Sequence, residues 1–209
     1  MPDFSLEDQY DGNVIGIDEV GRGPLAGPVV AASVYIPDDI RLHSFVSDIK
    51  DSKKLSKPKL KILNSLIHEY CIVSITEVPP KKIDELNILQ ASLLAMRQSC
   101  EFIDNLDIKC ALIDGNKTPK EMPCAAQHVV KGDSISKSIA AASIVAKHHR
   151  DSIMEELALA HPHYGWERNV GYPTPEHRDA IKQFGITKHH RKSFAPVRIY
   201  MESRLKNVS

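Results

Sequence analysis

The chain lacks any paired-cysteine motif. Its four cysteines, Cys71, Cys100, Cys110 and Cys124, are scattered and form no CxxC. That spacing argues against a small disulfide scaffold and gives no support to a zinc site, so reduced, mostly buried thiols are expected. No apolar run approaches the roughly 18 residues of a membrane span. The segment from Met1 to Gly12 is acidic and polar, without the basic start and apolar stretch of a secretory leader. These absences lead to the expectation of a cytoplasmic protein. Net charge is missing too: 27 Lys and Arg balance 27 Asp and Glu. Bulk electrostatics therefore do not mark a partner. There is no GxSxG, no phosphate-binding P-loop and no Cys/His nucleophile pattern.

What is present is an ordinary globular composition. Over 209 residues, 42% hydrophobic and 26% charged side chains suffice for a sizeable core. The charge is unevenly placed. Six lysines face one acid, Asp51, between Lys50 and Lys61, and seven Lys or Arg face one acid, Glu202, between Lys182 and Lys206. Such segments are either solvated surface or a face that grips phosphate.

Apolar runs predict strands at Asn13–Asp18, Val29–Ile36, Cys71–Val78, Cys110–Asp114 and Ala125–Val130. Three- and four-residue apolar spacing predicts helices over Pro58–His68, Leu86–Ile103 and Ile135–Leu159. Thr174 reads as an N-cap, with Pro175 at the first helical position and Gly185 as the stop. Alternating strands and helices define an α/β fold. The first two strands are joined too tightly for a crossover helix, so they should pair antiparallel in a mixed sheet. One domain is expected over residues 1–209, with a basic helical extension from about residue 162.

Asp18 ends an apolar strand and Glu19 follows it. Asp114 ends another and precedes Gly115. Active sites of α/β sheets lie beyond strand ends, where such acids converge. Crowded carboxylates repel and one takes up a proton, unless a hard divalent cation with a preference for oxygen resolves the conflict. The competing reading is that strand-end acids simply begin turns. Gly21-Arg22-Gly23-Pro24-Leu25-Ala26 matches the loose dinucleotide pattern GxGxxA, but Pro24 and Pro28 and a following β-rich run deny it the helix that pattern needs. The glycines either permit close approach of a substrate to the backbone or serve a turn. Asp133, before the long helix, reads as its N-cap, a position from which one oxygen could still face a metal. Tyr172, in a loop feeding a helix, suits either stacking on a sugar or base or plain packing. The pairs His161/His163 and His189/His190 show no helical metal spacing, and contact with solvent or phosphate is expected of them.

Taken in order, several blocks are distinctive. Gly16 to Val29 closely resembles the opening signature of bacterial type 2 ribonuclease H, the ribonuclease HII family. Asp51-Ser52-Lys53-Lys54-Leu55-Ser56, Ile113-Asp114-Gly115, Lys131-Gly132-Asp133-Ser134, Ser138 to Lys147, Gly171-Tyr172-Pro173-Thr174 and His190 to Phe194 follow the same family in the same order. The resemblance implies a ribonuclease-H-like mixed sheet with flanking helices and a C-terminal helical extension. It implies that Asp18, Glu19, Asp114 and Asp133 are catalytic and hold Mg²⁺ or Mn²⁺ at the scissile phosphate. It implies further that the backbone of Gly21-Arg22-Gly23 reads the ribose 2′-hydroxyl. Tyr172 then helps to recognise a ribonucleotide followed by a deoxyribonucleotide. The implied activity is cleavage on the 5′ side of the ribonucleotide, leaving 3′-hydroxyl and 5′-phosphate ends. Its implied uses are degrading RNA in RNA–DNA hybrids and excising ribonucleotides from DNA.

With that chemistry, two-metal hydrolysis is the expected mechanism. Charge and position make Lys53 and Arg191 candidates for phosphate contact. A monomer is expected. The alternatives are another carboxylate-metal DNA nuclease and a non-catalytic hybrid-binding module.

Overall fold

A computed structural model describes residues 1–101, 103 and 106–206. In chain order its main elements are β1 (Asn13–Val20), β2 (Val29–Tyr35), α1 (Ser44–Asp48), α2 (Lys57–Tyr70), β3 (Ile72–Val78), α3 (Pro80–Leu86), α4 (Ile88–Glu101), β4 (Ile108–Asp114), β5 (Ala126–Val129), α5 (Lys137–Ala160), α6 (Trp166–Asn169), α7 (Pro175–Phe184) and α8 (Ala195–Lys206). The strands form one sheet in the order β3-β2-β1-β4-β5. β1 and β2 pair antiparallel, from Ile15 opposite Tyr35 to Val20 opposite Val30, and β2 pairs antiparallel with β3. β4 runs parallel to both β1 and β5. The sheet is therefore mixed, and its first connection is the short hairpin the spacing required.

Helices cover both faces. On one, α2 and α5 bury Leu60, Leu63, Ile67 and the Ala140-Ala141-Ala142 run against Val30, Ala32 and Val34. On the other, α3 and α4 bury Ile83, Ala91, Ala95 and Met96 against Ile15, Ile17, Val29 and Ala31. β1 lies centrally, and its side chains alternate between the two layers. The small residues of α5 allow it to lie very close to β1. A Cβ on Gly16 would stand 2.0 Å from the Ser138 carbonyl carbon and 2.1 Å from the Ile139 nitrogen. The C-terminal helices gather around Trp166, which is fully buried with Tyr164, Ile181 and Val197 against Met154 of α5 and Leu25 of the β1–β2 loop.

Two expectations about helices are corrected. The helix expected over Leu86–Ile103 breaks at Asn87, whose φ of 70° and ψ of 162° end α3. Its side-chain oxygen then accepts from Gln90 N at 3.1 Å, which starts α4. Apolar spacing continues through the break, so periodicity alone hides it; the part of that expectation on Phe102 lies outside the described residues. The N-cap of α5 is Ser136, whose hydroxyl accepts from Ile139 N at 3.1 Å. Asp133 lies earlier, in the 3-10 turn Gly132–Ser134. Thr174 caps α7 by accepting from His177 N, as its sequence position implied.

The close approach of β1 and α5 yields a stability test. Gly16→Ala forces backbone against backbone, and overpacking of this kind costs about 3 kcal/mol, a fall of roughly 6–12 °C in Tm for a chain of this size. Thermal unfolding checks it; an unchanged Tm would contradict the packing.

Candidate active site

Asp18 and Glu19 occupy the C-terminal part of β1, and Asp114 ends the neighbouring parallel strand β4. Successive strand residues face opposite sides. Asp18 leans toward α5, on the side of Ser143. Glu19 faces α4, in a depression also lined by Ser92, Met96, Asp114 and Lys117. Even so, one oxygen from each of Asp18, Glu19 and Asp114 lies within 4.8 Å of the others. Asp18 also accepts from Glu19 N at 2.7 Å, and Asp114 from Gly132 N at 2.7 Å.

The site is crowded with negative charge. Burial raises the carboxyl of Asp18 well above the usual range, and the charges of Glu19 and Asp114 add to the effect. Burial, opposed by Arg22 and reinforced by Asp114, pushes Glu19 up to about 7. The countercharge within reach is modest: Arg22 Nη1 sits 3.2 Å from Glu19 Oε1, and the Arg22 side chain is half exposed. Hard oxygen donors that favour protonation when left alone fit a divalent cation, which would replace the protons.

Asp133 is not part of this close triad. It stands one residue beyond Gly132, with its carboxyl raised by burial and then by Asp114 and Asp51, and lowered by Lys53. Lys53 is exposed near the rim. Its turn is anchored by Asp51, which accepts from Lys53 N at 3.0 Å, and by a 2.7 Å contact between the Ser52 and Ser143 hydroxyls. Ser143 thus ties the lysine-bearing turn to α5 on the side of the acid on β1, a role its place in an Ala-rich helix did not disclose.

Arg191 is not a phosphate contact. It is fully buried, and its guanidinium donates to the carbonyls of Gly21 (2.6 Å), Arg22 (3.0 Å), Gly27 (2.9 and 3.0 Å) and Pro28 (3.1 Å). Arg150 of α5, buried beside it, donates to Pro28 O, Ala26 O and Val170 O at 3.0–3.1 Å. These arginines fasten the Gly21–Pro28 loop by its own carbonyls, which a fork of donors can satisfy together. Burial, then Arg150, lowers Arg191 to about 9, so it remains charged at neutral pH. Gly21 is required here: its φ is 93°, and a Cβ would lie 2.2 Å from Arg150 Nε. A Cβ on Gly23 would meet the Tyr172 ring at 3.2 Å, so loop and tyrosine are neighbours. Tyr172 itself is 44% exposed.

The histidine expectation also changes. His190 is buried, 3.2 Å from the Nε2 of fully buried His177, and is inaccessible to phosphate. The cysteines are all free, with the sulfurs of Cys100 and Cys124 at 3.8 Å. A cavity of about 720 Å³ opens beside α4 rather than over the acids, yet it shares Leu89, Leu93, Asn116 and Lys117 with the lining at Glu19.

The family model for ribonuclease HII matches residues 15–197. Ribonuclease HII of Paramagnetospirillum magneticum is 53% identical, with 96% of this chain and 99% of that protein covered. Among solved structures, ribonuclease H2 from Pyrococcus horikoshii superposes with a TM-score of 0.77 at 26% identity, covering 93% of this chain and 100% of that one. Bst ribonuclease HIII in complex with Mn²⁺ shares the fold at a TM-score of 0.73 and 19% identity, covering 93% and 70%. The chain belongs to the ribonuclease HII family, and its activity is that of a ribonuclease H endonuclease on RNA–DNA hybrids.

Two outcomes follow from the geometry. Arg191→Ala leaves buried loop carbonyls without donors and should cost about 3 kcal/mol or more; urea unfolding measures it. A surface phosphate contact would instead leave stability unchanged and weaken only binding. The second concerns pH. Glu19 titrates higher in the folded chain than unfolded, so its ionisation opposes folding. The metal-free protein should therefore lose stability as pH rises from about 4.5 to about 7. Asp18→Asn removes one of the repelling charges and should raise Tm at pH 7, by about 2–4 °C per kcal/mol relieved, while abolishing activity. Paired melting curves and assays test both halves.

Proposed function

We propose that this ribonuclease cleaves the phosphodiester on the 5′ side of a ribonucleotide, both at single ribonucleotides embedded in duplex DNA and along the RNA strand of hybrids. The products are 3′-hydroxyl and 5′-phosphate ends. The observation that carries this reading is the acid triad, with Asp18 buried and Glu19 and Asp114 half-buried, lying beside a glycine loop that two buried arginines fasten and that Tyr172 adjoins. Asp18, Glu19, Asp114 and Asp133 would hold Mg²⁺ or Mn²⁺; the Mn²⁺ complex of the HIII relative supports that choice. Bound there, the cations supply the charge that makes water a nucleophile near neutral pH and that stabilises the departing 3′ oxygen.

The remaining roles belong to the chain. The four carboxylates place the cations and need not act as general bases. The Gly21-Arg22-Gly23 backbone, unable to drift because its carbonyls are tied, meets the ribose 2′-hydroxyl, the group that separates RNA from DNA. The exposed ring of Tyr172 stacks at the adjoining sugar. Lys53, exposed near Asp133, contacts a backbone phosphate. In this reading residues 1–209 work as one catalytic unit and a monomer, with a basic helical extension from about residue 162, and they clear ribonucleotides misincorporated into DNA.

One assay tests it. Duplex DNA with a single ribonucleotide should be cut on its 5′ side in Mg²⁺ or Mn²⁺ and left intact in EDTA. All-DNA duplex should remain whole. Lys53→Ala should cut at the same position but flatten the dependence of log affinity on log salt by about 0.9. Cutting of all-DNA junctions would mark a different metal nuclease, and binding without cutting a hybrid-binding module; either result overturns the proposal.

A further inference from the structure

The loop that carries Tyr172 is held against its own preference. Val170 has φ 42° and ψ 35°, a left-handed conformation that β-branched residues avoid. Each neighbouring backbone group is clamped. Arg150 Nη1 donates to Val170 O at 3.0 Å, Gly171 N donates to Asn169 Oδ1 at 2.9 Å, and Leu25 N donates to Gly171 O at 2.7 Å. The Tyr172 carbonyl accepts from Thr174 N at 2.8 Å and faces His177 Nδ1 at 2.9 Å.

His177 belongs to a buried chain whose proton positions are dictated by partners that can only donate. Thr187 N–H donates to His190 Nδ1 at 3.0 Å. The Thr187 hydroxyl oxygen, already accepting from His189 N, lies 3.1 Å from the same nitrogen and can give it its proton. His190 Nδ1 is therefore bare, and neutral His190 carries its proton on Nε2. That nitrogen faces His177 Nε2 at 3.2 Å. Trp166 Nε1–H, which has no acceptor capacity, also points to His177 Nε2, at 3.1 Å. His177 Nε2 must accept, so the His177 proton sits on Nδ1, aimed at the Tyr172 carbonyl. One tautomer assignment is consistent with every contact, with Trp166 and His190 sharing the single lone pair of His177 Nε2, and the rings of Trp166, His177 and His190 are fully buried. Burial lowers both histidines from their ordinary value. His190 is pushed down to about 3, with His177, His189 and His161 adding to the effect, so both are neutral at working pH.

We propose that His177 is a positioning residue for Tyr172, its tautomer set by Trp166 and His190, and that this relay fixes the tyrosine against the Gly21-Arg22-Gly23 loop and thereby the preference for a ribonucleotide–deoxyribonucleotide junction. The proposal rests on the reading of Tyr172 as the junction contact. The Tyr172 carbonyl is the one loop group whose donor comes from a side chain with two possible tautomers. The relay removes that choice.

The test compares full-length wild type, His177→Asn, His177→Gln and Tyr172→Ala. The readout is the ratio of single-turnover rates on DNA with one embedded ribonucleotide and on an all-RNA strand hybridised to DNA. Tm is measured in parallel. The Asn side chain offers an N–H where Nδ1 stood, and should keep the ratio within about threefold of wild type. The Gln amide reaches the Nε2 position, preserving the link to Trp166 and His190 while leaving Tyr172 O without its histidine donor. Its ratio should fall about tenfold toward that of Tyr172→Ala, the scale of one lost hydrogen bond in the transition state. Two variants with equal ratios that follow Tm alone would reduce His177 to a structural role and overturn the proposal. Retention of the ratio by Gln and its loss in Asn would do the same. An unchanged ratio in Tyr172→Ala would overturn the junction-contact reading and the proposal with it. A wild type that cuts neither substrate would mark failure of the functional reading itself.

Discussion

Three carboxylates meet in a partly buried space at the end of the sheet, and much of the surrounding architecture serves to keep them there. β1 must be central so that Asp18 and Glu19 emerge between two helical layers. β4 must run parallel to it so that Asp114 emerges at the same end. α5 must press against β1 so closely that only glycine fits at position 16. The result is a concentration of like charge that the fold alone opposes, and that a divalent cation turns into attraction. Stability has been traded for a site, as is common where chemistry needs charges that would otherwise repel.

The second constraint is the shape of the loop between β1 and β2. Its carbonyls would ordinarily turn to water. Here Arg191 and Arg150 draw them inward from sequence positions far away, and the C-terminal segment holds the loop in place through Arg191. The Tyr172 loop joins the same assembly through Arg150 and through Leu25 N. Loop and tyrosine are therefore set by one buried network, built largely from irregular backbone.

How much of this the amino-acid order discloses varies by residue. Asp18 and Asp114 were legible because each ends an apolar run, and strand ends are where α/β sites gather. The hairpin was legible because eight residues cannot hold a crossover helix. The break at Asn87 was not, since the apolar spacing runs on unbroken and only a positive φ and a side-chain cap mark it. Asp133 was misplaced as a cap because Ser136, three residues on, competes for the same role with better geometry. Arg191 was misread for a deeper reason. A basic residue in a basic segment looks like surface, and its true partners are carbonyls more than a hundred residues away in sequence, which no local pattern announces. His190 was missed in the same way, and so was Ser143, a small residue in a helix whose small residues all seem to serve packing alone.

A cation that enters the acid triad must displace the protons its carboxyls hold. Calorimetric titration of Mn²⁺ into the protein in buffers of different ionisation enthalpy measures this exchange directly. Saturable binding with protons released is expected, and a release that grows as the pH is lowered from 8 toward about 6, where Glu19 is increasingly protonated before binding. Binding that displaces no protons anywhere in that range, or the same binding in Asp18→Asn, would contradict it.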